Sequence, residues 1–261
     1  MVAPWNSRIY AESQARAQMT GTLIHIAFDA AAWVAAGASL LWLTRYAHIR
    51  FPAAPTGDLP YIAALIFGAG IGAVAFGTAN LWLSGQAGIA RSIEGAVAGG
   101  IIAVELYKRL AGISVRTGAR FALPLAVGVA VGRIGCFLSG LDDFTHGTPT
   151  ALPWGHDFGD AVMRHPVQLY ESAAMAAFAA FYVWRVLRHD RFVIDNGFYL
   201  AIGFYGAQRF LWEFIKPYGA LVGPFTLFHL LSAAIVIYAV VMIATAPAPI
   251  RSDEQHDRAF A

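Results

Sequence analysis

Stretches of about twenty mostly apolar residues recur along the chain, the length a helix needs to cross a bilayer. Seven stand out, at 22–43, 61–83, 91–110, 120–141, 166–187, 197–215 and 224–246. The pattern predicts an all-α, polytopic membrane protein of about seven transmembrane helices, with residues 1–261 forming a single integral membrane domain. The third stretch is the weakest. It holds Arg91, Glu94 and several glycines, and reads either as a span or as a broken or re-entrant element, a form tolerated only where it lines protein or a wet cavity. A polar loop at 142–165 separates the fourth and fifth stretches, and 251–261 is a polar tail expected to fray. The first twenty residues are polar, through Arg8, Glu12 and Arg16, so the first apolar span is expected to be retained rather than cleaved.

Composition agrees with the pattern. Apolar residues make up 58% of the chain and charged residues 13%, whereas a soluble domain carries about 25% charged residues. The net charge of +2, with no basic run or stripe, gives no reason to expect nucleic acid as a partner. The single cysteine, Cys136, excludes an intrachain disulfide. Lysine and arginine are biased between alternate segments. With the N-terminus outside, the inner segments hold Arg45, Arg50, Lys108, Arg109, Arg116, Arg120, Arg185, Arg188, Arg191, Arg251 and Arg258. The outer ones hold only Arg8, Arg16, Arg91, Arg164 and Lys216. The positive-inside rule therefore predicts an outside N-terminus, an inside C-terminus and an outer loop at 142–165. Glycines spaced by four, Gly68/Gly72, Gly95/Gly99 and Gly128/Gly132, read as close helix packing and carry no chemistry.

The informative residues are the polar ones inside apolar spans. A charge at the bilayer centre costs about 2.5–3.5 kcal/mol on insertion scales, so such residues face a partner, a cavity or a substrate. In the sixth span Tyr205, Arg209 and Glu213 stand at i, i+4 and i+8 on one helix face. They form either a self-neutralising Arg209–Glu213 pair or part of a site. Arg133, in the fourth span, either snorkels to the outer surface or offers its guanidinium fork to an anion such as phosphate. The fifth span opens Arg164-His165-Pro166-Val167-Gln168-Leu169-Tyr170-Glu171, with Pro166 suited to a first helical turn. Glu171 then lies about 8 Å below the helix start, the depth of a lipid headgroup. Glu94 is either a first-turn carboxylate or a site residue. His25 and Asp29 read as a hydrogen-bonded i, i+4 pair, and Cys136 as a small buried hydrophobe. The acids and histidines of the outer loop, Asp142, Asp143, His146, His156, Asp157 and Asp160, show no metal-ligand spacing, so no metal is expected.

Three segments carry a resemblance to a known family. The first is Gly132-Arg133-Ile134-Gly135 with Phe137. The second is Leu152-Pro153-Trp154-Gly155 followed by Arg164-His165-Pro166-Val167-Gln168-Leu169-Tyr170-Glu171. The third is Tyr205-Gly206 with Arg209, Phe210, Glu213 and Phe214. In order and spacing they resemble prolipoprotein diacylglyceryl transferase, from about residue 61 to the last span. The resemblance implies a multi-pass protein of the bacterial cytoplasmic membrane. Such an enzyme moves the diacylglyceryl group of phosphatidylglycerol to the lipobox cysteine thiol in the signal peptide of a preprolipoprotein, with membrane lipid as its surroundings and no cofactor. It further implies catalytic roles for Arg209, Glu213, His165 and Glu94, and substrate binding by Arg133, Gln168, Glu171 and Tyr205. The sequence departs from the family where Asn-Phe and then Asn-Gly-Glu usually follow Gly-Arg-x-Gly. Here those places read Cys136, Ser139-Gly140 and Leu141, and Glu94-Gly95 stands for the usual His-Gly. A divergent transferase and a lipid-transferring or lipid-binding paralogue with another acceptor both fit these departures. A transporter also carries mid-membrane charges, but no internal repeat is visible. A purely structural membrane protein leaves Arg133, Glu171, Arg209 and Glu213 unexplained.

Overall fold

A computed structural model describes residues 5–47, 49 and 58–246, without the side chains of 5–20, 58 and 142. Arg50, Arg251 and Arg258 of the charge pattern, the side chains of Arg8, Arg16 and Asp142, and the polar tail therefore lie outside what is described. The chain is mostly helical. The helices are α1 (Trp5–Arg45), α2 (Asp58–Leu83), α3 (Ile93–Leu110), α4 (Ala122–Leu138), α5 (Val167–Leu187), α6 (Arg191–Asp195), α7 (Gly197–Glu213) and α8 (Leu227–Ala244). Each of the seven expected stretches holds one long helix, and α6 is a single extra turn.

Among the described residues four helical segments are long and apolar enough to cross a membrane: Gly21–Arg45, Leu59–Leu83, Gly118–Leu138 and Leu227–Ala244. The other three long helices, α3, α5 and α7, carry the charges of the centre described below. The third stretch forms one unbroken helix from Ile93 to Leu110. Ser92 caps it by accepting the Gly95 N–H at 3.1 Å, which satisfies an otherwise orphaned donor. The all-α expectation needs one correction. Two short antiparallel hairpins interrupt it, β1 (His156–Asp157) with β2 (Met163–Arg164), and β3 (Ala220–Val222) with β4 (Phe225–Thr226). In the first turn Asp157 Oδ1 accepts the N–H groups of residues 159, 160 and 161. The second turn passes through Gly223 at φ +57°, a conformation that glycine adopts without strain.

Packing follows the small residues. Helix α4 lies between α1 and α5, and its Ala122, Ala126, Val129 and Ala130 join Met175, Phe178 and Tyr182 of α5 and Ala201 and Tyr205 of α7 in the main core. Helices α7 and α8 pack together, and α2 lies along α3, which in turn touches α8. Trp33, Phe67, Ile71, Leu211 and Val240 point outward and are largely exposed, as an apolar solvent permits.

The α2–α3 seam is built from glycine. A Cβ on Gly72 would overlap backbone atoms of Gly95 and Gly99, and one on Gly99 would overlap Gly68 and Gly72. Gly128 and Gly132 sit more loosely against Ala36 and Ala32 of α1. Gly99→Leu is expected to pry the seam apart and destabilise the protein by about 1–3 kcal/mol or more. Gly70→Leu, on the open face of α2 with nothing near its Cβ, is the control. Thermal unfolding in detergent checks the pair, and equal loss in both variants would rule out the seam.

Candidate active site

Six charged side chains from four helices and the segment after α7 meet in the interior. Glu94 comes from the first turn of α3, Arg133 from α4, Glu171 from the second turn of α5, and Arg209 and Glu213 from successive turns of α7. Lys216 follows the end of α7, where its N–H bonds the Glu213 carbonyl at 3.1 Å. All six are buried.

Arg209 is the hub. Its Nε lies 3.2 Å from Glu94 Oε2, its Nη1 2.9 Å from Glu171 Oε1, and its Nη2 2.9 Å from Glu213 Oε2. Glu171 is the second hub, paired with Arg209, with Arg133 and, at 2.9 Å, with Lys216 Nζ. Hydroxyls complete the carboxylates: Ser232 Oγ donates to Glu94 Oε1 at 2.5 Å and Thr226 Oγ1 to Glu213 Oε1 at 2.6 Å. The rings of Phe228 and Tyr218 lie 5.3 and 5.9 Å from the Arg209 guanidinium carbon, on its cation-π side. Three cations face three carboxylates, so the cluster is formally neutral, which is how buried charge is tolerated. Burial and the nearby guanidinium of Arg209 bring the Lys216 ammonium down to about 8.

The structure thus joins Arg133, Glu171, Arg209, Glu213 and Glu94. Arg133 does not snorkel; it turns inward to Glu171, with Nη1 3.7 Å from Cys136 Sγ. The Arg209–Glu213 pair exists, but as one arm of a larger network. Gln168 and Tyr205 are buried beside it, and neither the Gln168 amide nor the Tyr205 hydroxyl has a hydrogen-bond partner among the described residues. His165 stands apart from the ion pairs. The backbone before α5 is pinned within the 142–165 loop, with His165 N–H donating to the Thr148 carbonyl at 3.1 Å. Its ring turns to the Tyr170 hydroxyl, 3.4 Å from Nδ1, which also accepts from Trp154 Nε1 at 2.8 Å. Sequence reasoning overlooked Lys216 because it lies one residue past a span, where a lysine reads as a topological charge. Its i, i+3 spacing from Glu213 was the available signal.

A cavity of about 500 Å³ runs alongside, between the α1–α4 pair and the α2–α3 pair. Trp33, Leu65, Ile66 and Val97 form apolar walls, and Phe198, Tyr199 and Tyr238 the floor. Gly132 and Ile93, the chain neighbours of Arg133 and Glu94, line it, but the two arginines do not.

Comparison with known proteins agrees with the motifs. The family model for prolipoprotein diacylglyceryl transferase matches residues 30–245. A phosphatidylglycerol–prolipoprotein diacylglyceryl transferase of Geobacter sulfurreducens is 36% identical over 148 residues, covering 54% of this chain and 55% of the relative. One from Cupriavidus pinatubonensis is 31% identical over 172 residues, with 62% and 61% covered. One from Cupriavidus metallidurans is 36% identical over 126 residues, with 46% and 45% covered. The chain spans about half the length of the curated relatives it matches. No solved structure matches. With four family-motif residues, Arg133, Glu171, Arg209 and Glu213, gathered in one buried centre, and the family model spanning most of the sequence, the chain belongs to the prolipoprotein diacylglyceryl transferase family.

Proposed function

We propose that the protein transfers the diacylglyceryl group of phosphatidylglycerol to the lipobox cysteine thiol in the signal peptide of a preprolipoprotein; its relatives are named phosphatidylglycerol–prolipoprotein diacylglyceryl transferases. The observation that carries this reading is the convergence of Arg133 and Arg209, from two helices, on the single carboxylate of Glu171. Two guanidinium forks held so close suit the phosphate of a lipid headgroup. The protein is read as one integral domain of seven spans in the bacterial cytoplasmic membrane, N-terminus outside and C-terminus inside. This rests on the seven long helices and the bias of lysine and arginine.

In this reading the thiolate attacks the glyceryl carbon bearing the phosphate ester. The S–C bond forms, the C–O bond breaks, and its electron pair leaves on glycerol phosphate. Arg133 and Arg209 bind the phosphate and stabilise the leaving charge. Glu171 and Glu213 hold those arginines, and Tyr205 and Gln168 have hydrogen-bonding capacity for headgroup oxygens. The acyl chains occupy the apolar cavity beside Gly132. A free cysteine has a pKa of about 8.5, so the thiol needs a base or a positive field. Of the two proton acceptors named from sequence, His165 carries the freer ring, whereas Glu94 is engaged by Arg209 and Ser232. No cofactor enters a group transfer of this kind.

One observation favours a second reading. Glu94 occupies the place of the family's usual histidine and is spent on structural bonds, which suits a paralogue that passes lipid to another acceptor. Complementation decides between them. Expression in a strain depleted of its own diacylglyceryl transferase is expected to restore growth and lipoprotein modification. Failure to do so, with protein present in the membrane and lipid still bound, would favour the paralogue.

A further inference from the structure

Beside the ionic network, on the far side of Arg133, three side chains of different donor chemistry converge from three elements. His25 lies in α1, Cys136 in the last turn of α4, and Asp143 in the 3-10 turn Gly140–Asp143 that follows. His25 Nε2 is 2.7 Å from Asp143 Oδ1 and 3.8 Å from Cys136 Sγ, and all three donor atoms lie within 4.8 Å of one another. The sequence holds no hint of this grouping, because His25 and Cys136 are 111 residues apart. It pairs His25 with Asp29, but Asp143 is the nearer carboxylate.

We propose that His25, Cys136 and Asp143 form a binding site for a divalent transition metal ion of the zinc class. Thiolate, imidazole and carboxylate are the donors that such borderline-soft ions take, and three protein ligands leave a fourth position open. Zinc–ligand bonds of about 2.0–2.3 Å at tetrahedral angles place neighbouring donors roughly 3.3–3.6 Å apart, so small shifts from the observed distances close the site.

Two independent features support it. The first is the arrangement around the donors. His25 Nδ1, on the opposite side of the ring, lies 3.6 Å from Asp29 Oδ1, and Asp143 Oδ2 accepts a hydrogen bond from Thr145 Oγ1. Metal-ligating carboxylates are oriented by hydrogen bonds of the Thr145–Asp143 kind, while the 3.6 Å approach of Asp29 to Nδ1 is an ion-pair distance and not a hydrogen bond. The second is the sulfur's environment. Arg133 Nη1 lies 3.7 Å from Cys136 Sγ and holds the sulfur in place. Thiolate and carboxylate together then neutralise the dication. Bound metal would tie α1 to the outer end of α4, one guanidinium away from Glu171.

The test uses the full chain, purified in detergent with a tag free of histidine. After loading with zinc and desalting, about one zinc ion per chain is expected. Cys136→Asn, the residue the family usually carries there, and His25→Gln are each expected to weaken retention at least about tenfold. Cobalt in place of zinc should give an intense near-ultraviolet sulfur-to-metal band that Cys136→Asn abolishes. Should Cys136→Asn not accumulate, Cys136→Ala takes its place. Equal zinc in the wild type and the variants, cobalt bound without the sulfur band, or no metal at all would overturn the proposal. Rapid alkylation of Cys136 in a metal-free wild type would instead make the cluster a reactive thiol.

Discussion

Replacing Arg209 with lysine is expected to lower transfer of labelled lipid to a lipobox peptide by roughly a hundred- to a thousand-fold, with near-normal protein in the membrane. The guanidinium addresses three carboxylates with three different nitrogens. An ammonium keeps the charge but is a single point, and it cannot hold Glu94, Glu171 and Glu213 in one plane. Losing a preorganised donor at developing charge raises a barrier by about 2.7–4 kcal/mol. Arg209→Ala behaves differently. It leaves three carboxylates facing two cations in a buried site, and breaking such a network by removing one partner costs about 3–5 kcal/mol. The amount of protein should therefore fall as well. Arg209→Ala combined with Glu213→Ala restores the balance of charge, and should restore the amount but not transfer. Full transfer by that double variant would show that the pair holds the fold and nothing more.

Glu171→Gln is expected to destabilise the protein by about 3–5 kcal/mol, read as a fall in the thermal midpoint in detergent. The amide is nearly isosteric, so packing is kept and only charge is lost. Arg133, Arg209 and Lys216 all lean on this carboxylate, and without it three cations face two acids. Adding Lys216→Met returns the count to two and two, and should recover a good part of the loss. Losses that simply add in the double variant would mean that Lys216 and Glu171 are not energetically coupled.

The helices were legible because twenty apolar residues in a row have few alternatives. The continuity of the third was less so, since Glu94 and the glycines read as breakers until Ser92 supplies the cap and α2 fills the glycine groove. The hairpins escaped notice because strands of two or three residues carry no periodicity. At the site, Arg133, Glu171, Arg209 and Glu213 stood out as charges where lipid should be. Lys216 lay hidden at a span's edge. His165 carries a role implied by the family resemblance, yet the non-helical backbone ahead of α5 carries its ring to Tyr170. Local sequence does not show which way such a residue turns.

The neutrality of the buried centre also bears on biosynthesis. Residues enter the bilayer in chain order, so Glu94, Arg133 and Glu171 arrive first and together carry one uncompensated negative charge. Helix α7 adds Arg209 and Glu213, which cancel each other and leave that charge standing. Only Lys216, beyond the helix end, removes it. A chain that has inserted all of α7 but lacks Lys216 therefore holds one unbalanced carboxylate among its helices. The last-arriving cation is thus the one that completes the charge balance of the centre.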